Sequence, residues 1–295
     1  GPRSAGAVPG PACYGRGGSE PTVTDAHVVL GHLDPERPLA GAVSLDAGAA
    51  RAAVGRLAGA LGLGIEACAR GILRVADAEM LRALRVVTVE RGVDPRRFAL
   101  LAFGGAGPLH AVAIAEELGI SRILVPRASG VLSALGLAAA DRRAHRQRSV
   151  LLRGAALTGA ALAAEAAALG DAARAALRDP GAGVDVAWDV RYRGQSHELT
   201  LRGVGADVGA VRDAFAAAHA ERYGYADDEA GVEVVTVRAT ATTPGPDVTL
   251  AGDGAVPEAV RGPAVVALPE ATLLVPPGWA GRPDTTGTLV LERAA

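Results

Sequence analysis

A chain of 295 residues that is 49% hydrophobic and 21% charged is composed like an ordered globular protein with one large core or two smaller ones. Its formal charge of −2 and aromatic content of 3% argue against a nucleic-acid surface or a base-stacking platform. All 30 residues in the lysine-plus-arginine count are arginine, so the chain supplies no Schiff-base, general-base or phosphate-loop lysine. Cys13 and Cys68 form no CxxC pair or metal framework and fit a reducing compartment. The alanine-rich stretches carry charges at short intervals and no signal peptide opens the sequence, which predicts a cytoplasmic chain without membrane contact.

Residues 1–45 are rich in glycine and proline, with only short apolar runs such as Val28-Val29-Leu30, and require a neighbouring body to order them. Gly1 stands where an initiating methionine would, and two origins remain open: the remnant of a cleaved tag, or the interior of a longer polypeptide. Helical patterning covers 46–63 and then 65–91, the second with a break or bend expected near Gly71. Met80 reads as core filler there. Residues 98–103 predict a buried strand, 108–118 a helix stopped by Gly119, and 120–126 a second strand, together a β-α-β unit. A small-residue helix follows from Ser129.

Composition changes at 142–150, where Arg142, Arg143, Arg146 and Arg148 cluster. The run marks a solvated interdomain edge or a phosphate or subunit contact, and Asp141 beside it a solvated boundary or a ligand-facing acid. Helices are predicted over 155–178 and 208–223, with strands over 184–192, 197–201 and 232–240 and a weaker tail beyond 245. This pattern divides the chain into 1–45, 46–144 and 145–295, the last a mixed α/β domain with its tail.

The junction at 98–110 is the richest in chemistry. Gly104, Gly105 and Gly107 follow an apolar run where the backbone must turn, and Pro108 suits the first turn of the helix. Such a turn admits a flat or anionic ligand to free N–H groups, or serves simply as a tight turn. Its order matches neither GxGxxG nor the GxxxxGK[ST] phosphate loop.

The sequence resembles the hydantoinase A and oxoprolinase family. The motifs are Gly1-Pro2-Arg3-Ser4-Ala5-Gly6-Ala7, Pro9-Gly10-Pro11-Ala12-Cys13-Tyr14-Gly15, Thr22-Val23-Thr24-Asp25-Ala26, Phe103-Gly104-Gly105-Ala106-Gly107-Pro108-Leu109-His110, Gly130-Val131-Leu132-Ser133-Ala134-Leu135-Gly136, Tyr192-Arg193-Gly194-Gln195 and Tyr223-Gly224-Tyr225. The resemblance implies an α/β fold: part of an actin-like ATPase core of the sugar-kinase, Hsp70 and RNase H-like type, followed by a C-terminal mixed α/β domain. It implies ATP and Mg²⁺ as cofactors, with Gly104, Gly105 and Gly107 near the nucleotide. The acidic phosphate motif with which the family begins is absent, so the implied partners are a missing N-terminal half, or a split companion chain, and a hydantoinase B-like subunit. The implied activity is ATP-dependent opening of a cyclic amide. Alternatives are a subunit of an ATP-dependent ketone carboxylase and a non-catalytic assembly subunit.

Three departures from the family pattern stand out. Val8 replaces an aspartate, His27 replaces the asparagine of Thr-Asp-Ala-Asn, and Ala76-Asp77-Ala78-Glu79-Met80 replaces Ala-Asn-Ala-Asn-Met. Asp25 and His110 are the candidate catalytic residues. Asp25 orients Mg²⁺-bound water or a reacting group, or else caps a helix; His110 contacts phosphate or packs its helix. Cys13 reads as structural or substrate-lining, and His197 as structural.

Overall fold

The computed structural model describes residues 4–39, 43–227, 229–248 and 256–294. Gly1-Pro2-Arg3 of the first family-like motif, Ala40-Gly41 of the glycine-rich start and 249–255 of the tail lie outside them. In chain order the elements are α1 (Val23–Val29), α2 (Ala47–Leu61), α3 (Ile65–Val87), β1 (Leu100–Leu101), α4 (Gly107–Leu118), β2 (Arg122–Val125) and α5 (Leu132–Ala139). Then come β3 (Arg142–Arg153), α6 (Gly159–Leu177), β4 (Gly183–Tyr192), β5 (Leu199–Arg202), α7 (Val208–Tyr223) and β6 (Val232–Thr243). The tail supplies β7 (Val260–Arg261), β8 (Ala264–Ala267), β9 (Thr272–Val275), β10 (Trp279–Pro283) and β11 (Leu289–Arg293). The chain forms two compact units, Gly1–Gly136 with Thr249–Ala295, and Leu137–Val248. Among the described residues no single helix is long and apolar enough to cross a membrane.

In the first unit, α1 starts at a reciprocal cap: Asp25 N donates to Thr22 Oγ1 while Thr22 N donates to the Asp25 carboxylate. Asp46 caps α2 by accepting from Ala49 N at 2.9 Å, and left-handed Gly62 ends it. The bend expected at Gly71 falls earlier, in the short connection between α2 and α3. α3 itself runs unbroken because Cys68, Ala69 and Leu73 bury against Ala26, Val54 and Ala58. That packing outweighs the roughly 1 kcal/mol helix penalty of an internal glycine.

β1 and β2 pair in parallel, Leu100 opposite Ile123 and Leu101 opposite Leu124, and α4 connects them as the sequence predicts. β1 is much shorter than 98–103 and forms the outer edge of its sheet, so Phe98 and Phe103 are 58% and 47% exposed rather than buried. The sheet order is β1-β2-β11-β10-β7. The tail, grouped in the sequence with the C-terminal mixed α/β domain of 145–295, contributes strands to this sheet. Strand β11 from the tail pairs antiparallel with β2, from Leu289 opposite Val125 to Glu292 opposite Arg122. Fully buried Leu289 and Leu291 join Ile123, Val125 and the α4 residues Val112, Ile114 and Leu118 in one core. Apolar burial on this scale, about 25 cal/mol per Å², fixes the tail to this unit.

In the second unit, β3, β6, β4 and β5 form an antiparallel sheet in that order. One core packs Trp188, Val190 and Val237 of the sheet against Leu162 and Leu169 of α6 and Val211 and Phe215 of α7. The arginine cluster expected at an interdomain edge lies in β3, an edge strand whose exposed charges disfavour further strand pairing.

Candidate functional site

The glycine turn leaves β1 through buried Ala102, whose N–H donates to Leu124 O at 2.8 Å. Gly104 has φ of +82°, a left-handed conformation that favours glycine, and donates to Ser129 O at 2.6 Å. Gly105 and Ala106 are exposed. No side chain caps the start of α4, and Pro108 occupies its first turn. The tail frames the turn from the other side: Thr272 N reaches Gly105 O at 3.4 Å, and a Cβ on Gly130 would meet Glu270 O at 2.2 Å. Gly130 is thus required by a close approach of two backbones. An exposed, glycine-lined, uncapped helix start offers N–H groups and a positive dipole end to an anion.

His110 faces inward and is 5% exposed. Its Nδ1 lies 2.7 Å from Asp77 Oδ1 on α3, and its Nε2 lies 3.3 Å from His27 Nε2 on α1. His27 Nδ1 is in turn 3.1 Å from His32 Nδ1. Burial, reinforced by the neighbouring rings of His110 and His32, pushes His27 down to about 3, and burial likewise lowers His32. Sequence reading singled out His110 for phosphate or packing, noted His27 and Asp77 only as departures, and passed over His32. The missed signal was joint: the two substituted positions, 27 and 77, both meet His110.

Asp25 is fully buried, and its carboxylate accepts from Ala12 N at 3.2 Å, Cys13 N at 2.8 Å, Thr22 N at 2.9 Å and Thr22 Oγ1 at 2.8 Å. It ties the short helical turn Ala12–Tyr14 to the start of α1. Cys13 beside it is fully buried. Burial, together with the hydrogen bond to Asp25, pushes its thiol up to about 12, far from a reactive thiolate. His197 is exposed, between β4 and β5. Asp141 pairs with Arg143 at 3.0 Å and accepts from Gly245 N at 3.1 Å. In the second unit a cavity of about 730 Å³ opens on the polar face of the sheet, lined by Arg143, His145, Gln147, Arg202 and Arg238 among others.

Over the whole chain, the backbone superimposes on nucleotide-free acetone carboxylase with a TM-score of 0.85, covering 49% of that chain at 24% identity. The fold is the mixed α/β type of the actin, Hsp70 and sugar-kinase superfamily. Residues 1–146 match the hydantoinase/oxoprolinase family, and the chain belongs to that family, related to acetone- and acetophenone-carboxylase subunits and to caprolactamase. It is 36% identical to protein MJ0964 of Methanocaldococcus jannaschii over 99% of its own length and 48% of that protein. It is 31% identical to the caprolactamase alpha subunit of Pseudomonas jessenii, covering 99% of this chain and 49% of the relative. The caprolactamase crystal structure superimposes with a TM-score of 0.67, over 100% of this chain and 50% of that one, at 30% identity. The chain thus spans about half the length of these relatives.

Proposed function

We propose that this chain is the C-terminal part of an ATP-dependent subunit that makes a carbonyl compound reactive by phosphoryl transfer. The observation that carries the reading is the exposed, uncapped turn at Gly104–Gly107, which fits a phosphate-bearing ligand. Bound there, ATP would supply a phosphoryl group to a carbonyl oxygen. Gly105 and Gly107 give it access to the backbone, and the start of α4 complements its charge. Asp25 is not free to hold Mg²⁺, because its carboxylate is already engaged by four donors. Asp25 is accordingly a positioning residue, holding the Cys13 turn against α1.

Two outcomes of carbonyl activation divide the relatives. Ketone carboxylation is the reading we place first, because the backbone follows the acetone carboxylase subunit so closely and the family half is shared with two ketone-carboxylase subunits. Opening of a cyclic amide comes second, favoured by the full-length alignment with the caprolactamase subunit. In either case the N-terminal half and a hydantoinase B-like subunit are the proposed partners, and the 295-residue chain alone is expected to turn over no substrate.

The test is reconstitution with each partner, reading nucleotide binding by calorimetry and ATP hydrolysis, carboxylation and lactam opening separately. At Gly105 an added Cβ would meet only Glu270 O at 3.6 Å, an ordinary contact, so Gly105→Val should fold normally. Its branched side chain projects at the exposed turn and should weaken nucleotide binding in the assembly about tenfold or more, the loss of at least one hydrogen bond to a charged group. Equal affinity for wild type and variant would remove the turn from the nucleotide site.

A further inference from the structure

Four side chains of the first unit form one hydrogen-bonded line, Asp77 to His110 to His27 to His32, with links of 2.7, 3.3 and 3.1 Å. With Asp77 ionised, only one proton assignment satisfies every link. The carboxylate can only accept, so His110 carries its proton on Nδ1. A neutral His110 then accepts at Nε2, which makes His27 the donor from Nε2 and an acceptor at Nδ1. His32 must therefore donate from its own Nδ1. The free lone pair of the line falls on His32 Nε2, on a half-buried ring, while His27 and His110 in the middle are 2% and 5% exposed.

We infer that Asp77, His110, His27 and His32 constitute a proton relay, with His32 Nε2 as its accepting end and the His110–Asp77 pair as the place where the charge is held. A proton arriving at His32 Nε2 releases the Nδ1 proton of the same ring to His27 Nδ1. His27 then gives its Nε2 proton to His110 Nε2. One proton has entered and each ring between has exchanged one tautomer for the other, leaving an imidazolium on His110 hydrogen-bonded to the Asp77 carboxylate. Release runs through the same hops in reverse.

The surroundings decide where the charge stays. His32 meets the ring of His27 and lies in the field of His110 and of the Arg70 guanidinium, itself paired with Glu66 at 3.0 Å. His27 faces only the other two imidazoles. Of the three rings, His110 is the one hydrogen-bonded to a carboxylate, Asp77 Oδ1 at 2.7 Å, so an imidazolium formed there lies beside an opposite charge. A shared metal ion does not explain the arrangement. His27 turns opposite ring nitrogens to its two neighbours, so no single ion can be bound by all three rings. The line also depends on both substituted positions, since asparagine at 27 could not pass a proton and asparagine at 77 would set no negative charge beside His110.

The relay is testable without nucleotide, substrate or partner, so its failure and the failure of the carbonyl-activating reading are distinct results. In the ¹⁵N-histidine-labelled chain under mildly alkaline conditions, two-bond ¹⁵N–¹H spectra should show Nδ1–H for His110 and His32 and Nε2–H for His27. On acidification, uptake of one proton should switch His27 from Nε2–H to Nδ1–H and His32 from Nδ1–H to Nε2–H together in wild type, whereas His27 of His32→Gln should keep its proton on Nε2. His27 protonated on Nδ1 under mildly alkaline conditions, or the same behaviour of His27 in the two proteins on acidification, would overturn the relay. The tautomer measurement needs no variant, and a half-buried position makes His32→Gln compatible with folding.

Discussion

In the second unit, Asp189 and Glu233 are each 2% exposed, and each meets an arginine from the adjacent strand: Arg238 at 2.8 Å and Arg191 at 2.7 Å. The first unit buries Asp25, His27 and His110, and the hydrogen bonds described for these three involve no arginine. His27 and His110 meet other rings and one carboxylate, and Asp25 meets backbone N–H groups and a hydroxyl. The difference separates two uses of buried polarity. An arginine–carboxylate pair fixes its protons, since neither partner changes charge near neutral pH without a large penalty. Linked neutral imidazoles keep donor and acceptor roles that can be exchanged ring by ring. The fixed pairs hold strands in register, whereas the first unit contains the groups able to move a proton.

The sharpest way to break this contrast is to remove one partner of a fixed pair. Arg191→Met leaves the Glu233 carboxylate buried, with Oε2 making no hydrogen bond and Arg153 3.8 Å away as its remaining cation. A loss of about 3 kcal/mol is expected by urea denaturation. Replacing both, as Arg191→Met with Glu233→Leu, should recover most of it, because no uncompensated charge remains. A single variant as stable as wild type would show that the pair is not a structural lock.

A smaller loss is expected where the first unit satisfies a carboxylate with neutral donors. Asp25→Asn turns one accepting oxygen into an NH₂ group that faces N–H donors, leaving at least one of the Ala12, Cys13 and Thr22 amides unsatisfied in the interior. The expected cost is about 2 kcal/mol. Stability lost in step with activity supports a positioning role, whereas full stability with activity abolished would make Asp25 a chemical participant.

Local signals made much of this legible in the sequence. The β1-α4-β2 unit followed from an apolar run, three glycines and a proline in one order, because turn chemistry and helix periodicity are short-range properties. The cap formed by Thr22 and Asp25 was likewise readable, though its spacing could not exclude catalysis. Non-local pairing was hidden. Leu289 and Leu291 alternate like any half-buried strand, and nothing near them states that β2, more than 160 residues earlier, is their partner. The line from Asp77 to His32 was hidden for the same reason. Its members come from α1, the loop after it, α3 and α4, and three-dimensional packing alone makes His27, His32 and Asp77 more than isolated polar residues.

The smallest effect we expect sharpens the comparison through pH. His27 is held at about 3 in the folded chain by burial and by its two neighbouring rings, against 6.5 for an unperturbed histidine. Between these values the unfolded chain binds one proton more than the folded chain at this position, so folding stability must fall as pH falls. The contribution is fully present above about 6.5 and is lost progressively as pH drops toward about 3. One such site corresponds to about 1.4 kcal/mol per pH unit. His27→Asn places at this position the residue of the family pattern and removes the titrating ring. Its stability measured by urea denaturation should therefore decline less steeply on acidification than that of wild type, by about that slope. The difference should be confined to amides of α1, α3 and α4 in hydrogen exchange, with the arginine-paired sheet of the second unit unaffected. Parallel pH profiles for the two proteins would mean that His27 is not held neutral by its surroundings, and the contrast between the two interiors would lose its physical basis.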